Sequence, residues 1–195
     1  TEIPIFPLSN FIIFPRTTVP LNIFEPRYIQ MINDSMKTNR IIGMIQPKKT
    51  GDLNKPDLYN IGCTGKITSF NETEDGRYLI VLNGITRFKV TEEISTKKLY
   101  RICKVNYKFF LKDLNQEKEN IKFSNSEVFF KDLKKFFEKQ GYAINWSELK
   151  NQDLNYTVNT LSMASPFSLE EKQTLLESTN INDRKAKLEE ILKTY

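Results

Sequence analysis

Few residues in this sequence have the types and spacing that catalysis requires. The chain of 195 residues contains no histidine, which removes the commonest general base near neutral pH and the commonest metal ligand. Cys63 and Cys103 are isolated and match no metal or redox spacing, and a cysteine nucleophile usually needs a histidine base. We therefore expect both thiols to fill core space in a reduced cytoplasm, with a disulfide between them left open as the alternative.

Carboxylates and glycines add no catalytic pattern. The pair Glu92 and Glu93 lies in a polar segment, where both carboxylates should stay ionised. The seven glycines match neither phosphate-binding spacing, and the segment Gly62 to Gly65 predicts a bulged or closely packed strand. Composition leaves a serine–lysine dyad open, and with it a hydrolase, but no local motif supports one. The sequence predicts a protein that is not an enzyme and binds no metal or cofactor.

Charge and hydropathy indicate a globular protein with scattered basic residues. The net charge is +5, the isoelectric point is about 9.0 and 39% of residues are hydrophobic. No apolar run approaches the roughly 18 residues that span a bilayer, and the N-terminus has no signal-peptide pattern. We expect a cytoplasmic location and no membrane partner. The basic residues form isolated pairs typical of solvated surface, namely Lys48-Lys49, Lys97-Lys98 and Lys134-Lys135.

The first 112 residues have the short period of β-structure. Turn residues separate strands rich in β-branched and aromatic side chains, predicted over Ile3 to Phe6, Pro20 to Phe24, Ile41 to Ile45, Ile61 to Phe70, Tyr78 to Leu82, Ile85 to Glu92 and Tyr100 to Leu111. Asn83-Gly84 predicts a type I′ hairpin, and Asp75-Gly76 predicts a second turn. Thr50 to Asp57 has the composition of an exposed loop. Alternation around Arg87 predicts a sheet with one solvated face.

One helix interrupts this half directly after a strand-like segment. Pro26 fits the first helical turn, and Glu25 is expected to cap the helix with its charge near the N-terminus. Arg27 is then the better candidate for contact with a partner. The amphipathic stripe of this helix consists of Tyr28, Met31, Ile32, Ser35 and Met36.

The last third has the longer period of helices. Capping boxes are predicted at Ser124 to Glu127 and at Ser168 to Glu171, Gly141 is expected to end a helix, and Asn182 or Asp183 is expected to cap the last one. The apolar positions of the four predicted helices are Val128, Phe129, Leu133, Phe136, Phe137, Leu154, Val158, Leu161, Leu175, Leu176, Leu188, Ile191 and Leu192. We therefore predict a β-rich lobe over 1–112, a linker over 113–122 and a helical bundle lobe over 123–195.

Taken in order, several motifs resemble one family. IPIFPLSNFIIFPRTTVPLNIFEPRY, IGCTGKI, DGRYLIVLNGITRF, KQTLLES and DRKAKLEEILK resemble the LON substrate-binding domain, the amino-terminal domain of ATP-dependent Lon proteases (peptidase family S16). The motif IFEPRY resembles the stand-alone bacterial proteins with this domain more closely than it resembles Lon proteases. Arg16 stands where the family pattern usually has Gly, and Asn22 where it often has His. The resemblance implies an α+β fold in which a PUA-like β pseudo-barrel with one inserted helix precedes a helical bundle.

The resemblance also implies a function: binding of polypeptide substrates without catalysis, either alone or as a piece of a longer protein. Phe11 to Phe14 lie between prolines and either cover the open end of the β lobe or form an exposed apolar groove for peptide. The expected partners are unfolded or degron-bearing polypeptides, and a protease or chaperone in an adaptor or holdase role. RNA binding is the alternative, although clustered Lys and Arg with interleaved aromatics are missing. The candidate peptide-binding surface consists of Phe11, Phe14, Asn22, Phe24 and Arg27.

Overall fold

Two compact units make up the chain, Thr1–Gln116 and Glu117–Tyr195. The computed structural model describes residues 1–115, 121 and 126–195, with Ser126 described by its backbone alone. Most of the predicted linker over 113–122 and the predicted capping residue Ser124 therefore lie outside the described residues. The predicted lobe boundaries stay a prediction.

Eight strands, one helix and one 3₁₀ segment form the first unit. They are β1 (Glu2–Pro7), β2 (Thr18–Ile23), α1 (Pro26–Met36), β3 (Ile41–Ile45), β4 (Pro47–Asp52), β5 (Lys55–Leu58), β6 (Ile61–Glu72), β7 (Tyr78–Ile94), β8 (Arg101–Asn106) and the 3₁₀ segment (Lys108–Leu114). The main sheet has the order β2-β7-β6-β3-β1-β8, and β8 also pairs with β7, so five strands close on themselves. Only β1 and β3 run parallel in this sheet. The predicted pseudo-barrel with an inserted helix is confirmed.

The predicted hairpin at Asn83-Gly84 is wrong. Both residues lie inside β7, which runs unbroken over 17 residues. β6 pairs along β7, while β2 pairs with its first half and β8 with its second half. A Cβ at Gly84 would lie 2.0 Å from the carbonyl oxygen of Phe14, so the glycine serves a close backbone approach. Tertiary pairing along both edges of β7 overrides the local turn preference.

Of the other predictions for this unit, one turn is confirmed, and one loop and one strand end are corrected. Asp75-Gly76 does connect β6 and β7, with hydrogen bonds between the backbone of Thr73 and that of Gly76 and Arg77. The predicted loop from Thr50 to Asp57 belongs to the exposed two-stranded hairpin of β4 and β5. The predicted strand that begins at Tyr100 ends at Asn106, because the chain then turns into the 3₁₀ segment.

The barrel core consists of apolar side chains from β1, β3, β7 and β8, namely Ile3, Ile5, Ile45, Phe88, Cys103 and Val105. Cys63 and Cys103 are buried free thiols, which confirms their core role. Burial and the nearby Glu93 carboxylate raise the pKa of Cys103 to about 11. The pairing of β6 with β7 shifts register between Thr64 and Gly65, as expected of a bulged strand.

Arg87 corrects the prediction of a simple solvated face on β7. Its side chain is buried (3% exposed) and forms a two-pronged ion pair with Asp113, with Nε to Oδ2 and Nη2 to Oδ1 both at 2.9 Å. The Arg87 backbone N–H also donates to Oδ2 at 2.9 Å. Because Asp113 lies in the 3₁₀ segment, this pair holds that segment against β7.

Five helices form the described part of the second unit, one more than predicted. They are α2 (Ser126–Lys139), α3 (Trp146–Asn151), α4 (Leu154–Ala164), α5 (Leu169–Leu176) and α6 (Ile181–Lys193). α6 contacts α2, α4 and α5, so it is the central helix of this bundle. The predicted apolar positions are buried with two exceptions: Val128 is 53% exposed and Leu154 is half-buried.

Helix ends follow the expected chemistry at two of three positions. Ser168 and Glu171 form the complete predicted capping box. Gly141, with φ of +77°, follows α2 and allows the left-handed turn that ends it. The last helix begins earlier than predicted, because Asn180 is its cap and accepts from the backbone N–H of Asp183. In the described part of the chain, no helix is long and apolar enough to cross a bilayer.

Candidate functional site

The candidate site lies where edge strand β2 meets α1. β2 is the end strand of the sheet order and pairs with β7. Thr18, Pro20 and Asn22 alternate with inward side chains and are exposed, and Asn22 stands opposite Leu79, which is 42% exposed. Because Pro20 has no backbone N–H, this edge lacks an unbroken row of donors and is a poor template for strand addition. Recognition here depends on side chains.

Phe24 is the most exposed apolar residue at this junction. Its side chain is 66% exposed, whereas the preceding Ile23 is buried at 2%. The strand period explains the contrast, because Ile23 points into the core and the chain turns at Phe24 to begin α1. The ring is therefore presented to solvent between two regular elements.

Glu25 and Arg27 form an ion pair on the first turn of α1. Glu25 occupies the predicted N-cap position with an extended backbone, and its carbonyl accepts from the N–H groups of Tyr28 and Ile29 at 2.9 Å. Its carboxylate does not cap the helix, contrary to expectation; it accepts from Arg27 Nε at 2.9 Å. The Arg27 guanidinium also lies 4.6 Å from the Tyr28 ring. Arg27 thus contacts both Glu25 and Tyr28 while its side chain remains 44% exposed.

Tyr28 supports this arrangement from below. Its side chain is buried, and its ring centroid lies 4.2 Å from that of Phe6. Burial raises the pKa of the Tyr28 hydroxyl, so the group is neutral at physiological pH. The tyrosine anchors α1 to β1.

The structure removes Phe14 from the predicted surface. Phe14 is 0% exposed, and Ile12 and Ile13 are buried with it. The Phe14 backbone N–H and carbonyl both bond to the hydroxyl of Thr17, a turn that directs the ring inward. Three of the four residues in the run Phe11 to Phe14 therefore cover the core, as the first of the two interpretations predicts.

Of the five predicted surface residues, three come together. Asn22, Phe24 and Arg27 lie within six residues at the β2–α1 junction, each with an exposed or partly exposed side chain. Phe11 is partly buried in the connection between β1 and β2. An amide, an aromatic ring and a guanidinium can contact a polypeptide by hydrogen bonds and apolar burial. Among residues 1–115, 121 and 126–195, no group of three histidine, cysteine or acidic side chains is placed to hold a metal ion.

Sequence reasoning missed a second exposed apolar region. Phe109, Leu111 and Leu114 are 68%, 57% and 53% exposed on the 3₁₀ segment. The predicted strand from Tyr100 to Leu111 places Phe109 and Leu111 in a sheet, and Leu114 falls in the predicted linker over 113–122. A usable signal is the presence of Lys108 and Lys112 within the apolar run, because two lysines four residues apart fit poorly in a buried strand.

A closed β unit and a separate helical unit define an α+β protein. The model of the ATP-dependent protease La (LON) substrate-binding domain matches residues 2–194. The chain belongs to this family of LON substrate-binding domains, which confirms the resemblance read from its motifs.

Relatives and solved structures agree with this assignment. The chain is 26% identical over 196 residues to the Lon protease of Buchnera aphidicola, covering 99% of this chain and 25% of that protein. It is 29% identical over 187 residues to the Lon protease of Malacoplasma penetrans, covering 92% and 24%. The chain thus spans about a quarter of the length of these curated relatives.

Two solved structures share the fold. The Lon N-terminal domain protein of Xanthomonas campestris superposes with a TM-score of 0.68 at 20% identity, covering 99% of this chain and 98% of that chain. The N-terminal domain of the Mycobacterium avium complex Lon protease gives 0.66 at 15% identity, with full coverage of both chains. At these identities the likeness establishes the α+β architecture.

Proposed function

We propose that this chain is a non-catalytic polypeptide-binding module that recognises exposed apolar segments of protein substrates, as a protease adaptor or a holdase. The observation that carries the proposal is the family match over residues 2–194, because that family is described by its binding of protease substrates. A cytoplasmic location, unfolded or degron-bearing partners and a protease or chaperone partner belong to the same proposal.

The β2–α1 junction supports this function physically. Phe24 is exposed but lies between a paired strand and a helix, so little backbone conformational entropy remains to be lost on binding. Complete burial of a phenylalanine side chain contributes about 1.5–3 kcal/mol. Because Phe24 is 66% exposed, about two-thirds of this free energy is still available on binding. Its contribution is then roughly 1–2 kcal/mol, or about a fivefold to thirtyfold change in Kd.

Binding of unfolded polypeptides tests the proposal. Fluorescence anisotropy with labelled unfolded proteins and apolar peptides should give dissociation constants below the millimolar range. Phe24→Ser should weaken binding about fivefold to thirtyfold, and Phe11→Ser should weaken it less. Leu53→Ser is the matched control, because Leu53 is fully exposed (100%) and belongs to the β4–β5 hairpin, not to β2 or α1.

The proposal fails if no polypeptide binds below the millimolar range, or if Phe24→Ser and Leu53→Ser behave alike. Affinity capture of the full chain from its native cells separates the two roles. Recovery of a protease supports the adaptor, whereas recovery of unfolded clients alone supports the holdase.

A further inference from the structure

A second surface of the β unit presents apolar side chains in a fixed arrangement. The segment Lys108–Leu114 consists of 3₁₀ turns that meet at Phe110, whose backbone departs from helical angles. We call Phe109, Leu111 and Leu114 the 3₁₀ surface; each is more than half exposed.

The 3₁₀ surface is held by buried contacts beneath it. Phe110 is 9% exposed, and its ring centroid lies 4.5 Å from the buried Arg87 guanidinium. The Arg87–Asp113 ion pair ties the next turn to β7, and Arg16 donates to the carbonyl of Asn115 at 2.8 Å just after the segment. Because the backbone is anchored at three points, the exposed side chains are preorganised for binding.

Three described lysines lie in or beside this segment. Lys108 and Lys112 are exposed within the segment, and Lys89 Nζ lies 5.1 Å from the centroid of the Phe109 ring. None of these three lysines forms an ion pair with a residue in the described part of the chain. The segment's own carboxylate, Asp113, is neutralised by Arg87. The rim therefore complements acidic side chains.

We infer that the 3₁₀ surface binds polypeptide segments whose apolar anchors are flanked by Asp or Glu. The inference rests on the proposed polypeptide-binding function and adds a separate surface with its own selectivity. Single-stranded nucleic acid fits this surface poorly, because stacking needs several aromatic faces. Two of the three side chains are aliphatic, and the face of Phe109 already receives Lys89.

The test uses three labelled peptides that share the same Leu and Phe anchors and differ in flanking Glu, Gln or Lys residues. The full chain should bind the Glu-flanked peptide about fivefold to tenfold more tightly than the Lys-flanked one, the size expected of a few exposed ion pairs. This preference should shrink at high salt. Lys108→Glu with Lys112→Glu should reverse it, and Leu111→Ser with Leu114→Ser should weaken all three peptides.

A matched control is Lys134→Glu with Lys135→Glu, which reverses two exposed lysines of α2 and should leave the preference unchanged. The inference is overturned if the three peptides bind equally, if the control shifts the preference as strongly, or if single-stranded RNA displaces the Glu-flanked peptide. Its failure is separate from that of the proposed function: unfolded proteins that still bind through Phe24 would leave the module intact and remove only this second surface.

Discussion

Substitution of the buried Arg87–Asp113 ion pair is a direct test of what stabilises the β unit. The two side chains are 4% and 9% exposed, and Asp113 accepts three hydrogen bonds from Arg87, all at 2.9 Å. The guanidinium also lies 4.5 Å from the Phe110 ring. Asp113→Asn keeps the volume but removes the negative charge, which leaves a buried cation without its counter-ion.

The expected loss of stability is large. Breaking a buried ion pair by removing one partner costs about 3–5 kcal/mol, and arginine cannot escape by losing its proton. An asparagine oxygen in the place of Oδ2 still accepts two of the three hydrogen bonds, so we expect a loss near 3 kcal/mol, at the lower end of that range. Replacing both partners by Arg87→Met with Asp113→Leu should cost less than the single change, because no buried charge remains.

Hydrogen exchange measured by mass spectrometry on peptides from β7 and β8 gives the opening free energy of the β unit. A loss near 3 kcal/mol corresponds to roughly a hundredfold faster exchange. The single tryptophan, Trp146, lies in α3, so its fluorescence follows the helical unit as an internal control. The reasoning is refuted if Asp113→Asn loses less than about 1 kcal/mol, or if the double variant is no more stable than the single one.

Three further predictions concern stability. Gly84→Ala should cost about 2–3 kcal/mol because the new methyl group overlaps the Phe14 carbonyl; an unchanged urea midpoint would contradict this. Asp34 accepts from Lys98 and Tyr100, which holds its pKa below the ordinary value. The stability that the Asp34 carboxylate contributes is therefore present above about pH 4 and is lost as pH falls through its folded pKa. In a series of thermal denaturations at falling pH, the Tm of Asp34→Asn should fall less steeply below about pH 4 than that of the unchanged chain. An equal fall in Tm for both proteins would contradict this. Ser168→Ala should cost about 1 kcal/mol, read from tryptophan fluorescence in urea, and Ser168→Gly should cost less.

Arg16, one of the two departures from the family pattern, has a left-handed backbone conformation. The family usually has glycine at this position, and Arg16 adopts a φ of +63°, in the left-handed region that glycine occupies without strain. The arginine keeps the same turn and adds its bond to the carbonyl of Asn115. Glycine, the residue that the resemblance leads us to expect here, would adopt this turn without strain, whereas Arg16 adopts it and makes an additional contact.

Much of the fold and part of the site could be predicted from local patterns. The buried stripe of α1, the capping box at Ser168 and the strand from Ile41 to Ile45 are confirmed. Exposure of Asn22 and Phe24 also follows from the period of β2 and its break before Pro26. These features depend on residues a few positions apart, so the sequence specifies them without reference to the rest of the chain.

The tertiary structure decided what depends on distant partners. Asn83-Gly84 is turn-forming in isolation but lies in a strand paired on both edges. The apolar run that contains Phe14 is compatible with core cover or with an exposed groove, and Phe14 is buried where its carbonyl meets Gly84. Arg87 alternates like a solvent-facing residue, yet Asp113, 26 positions later, makes its burial favourable. By itself the sequence determined the periods, the capping box at Ser168 and the family. Pairing and burial between residues far apart in the chain determined which side chains remain on the surface to bind.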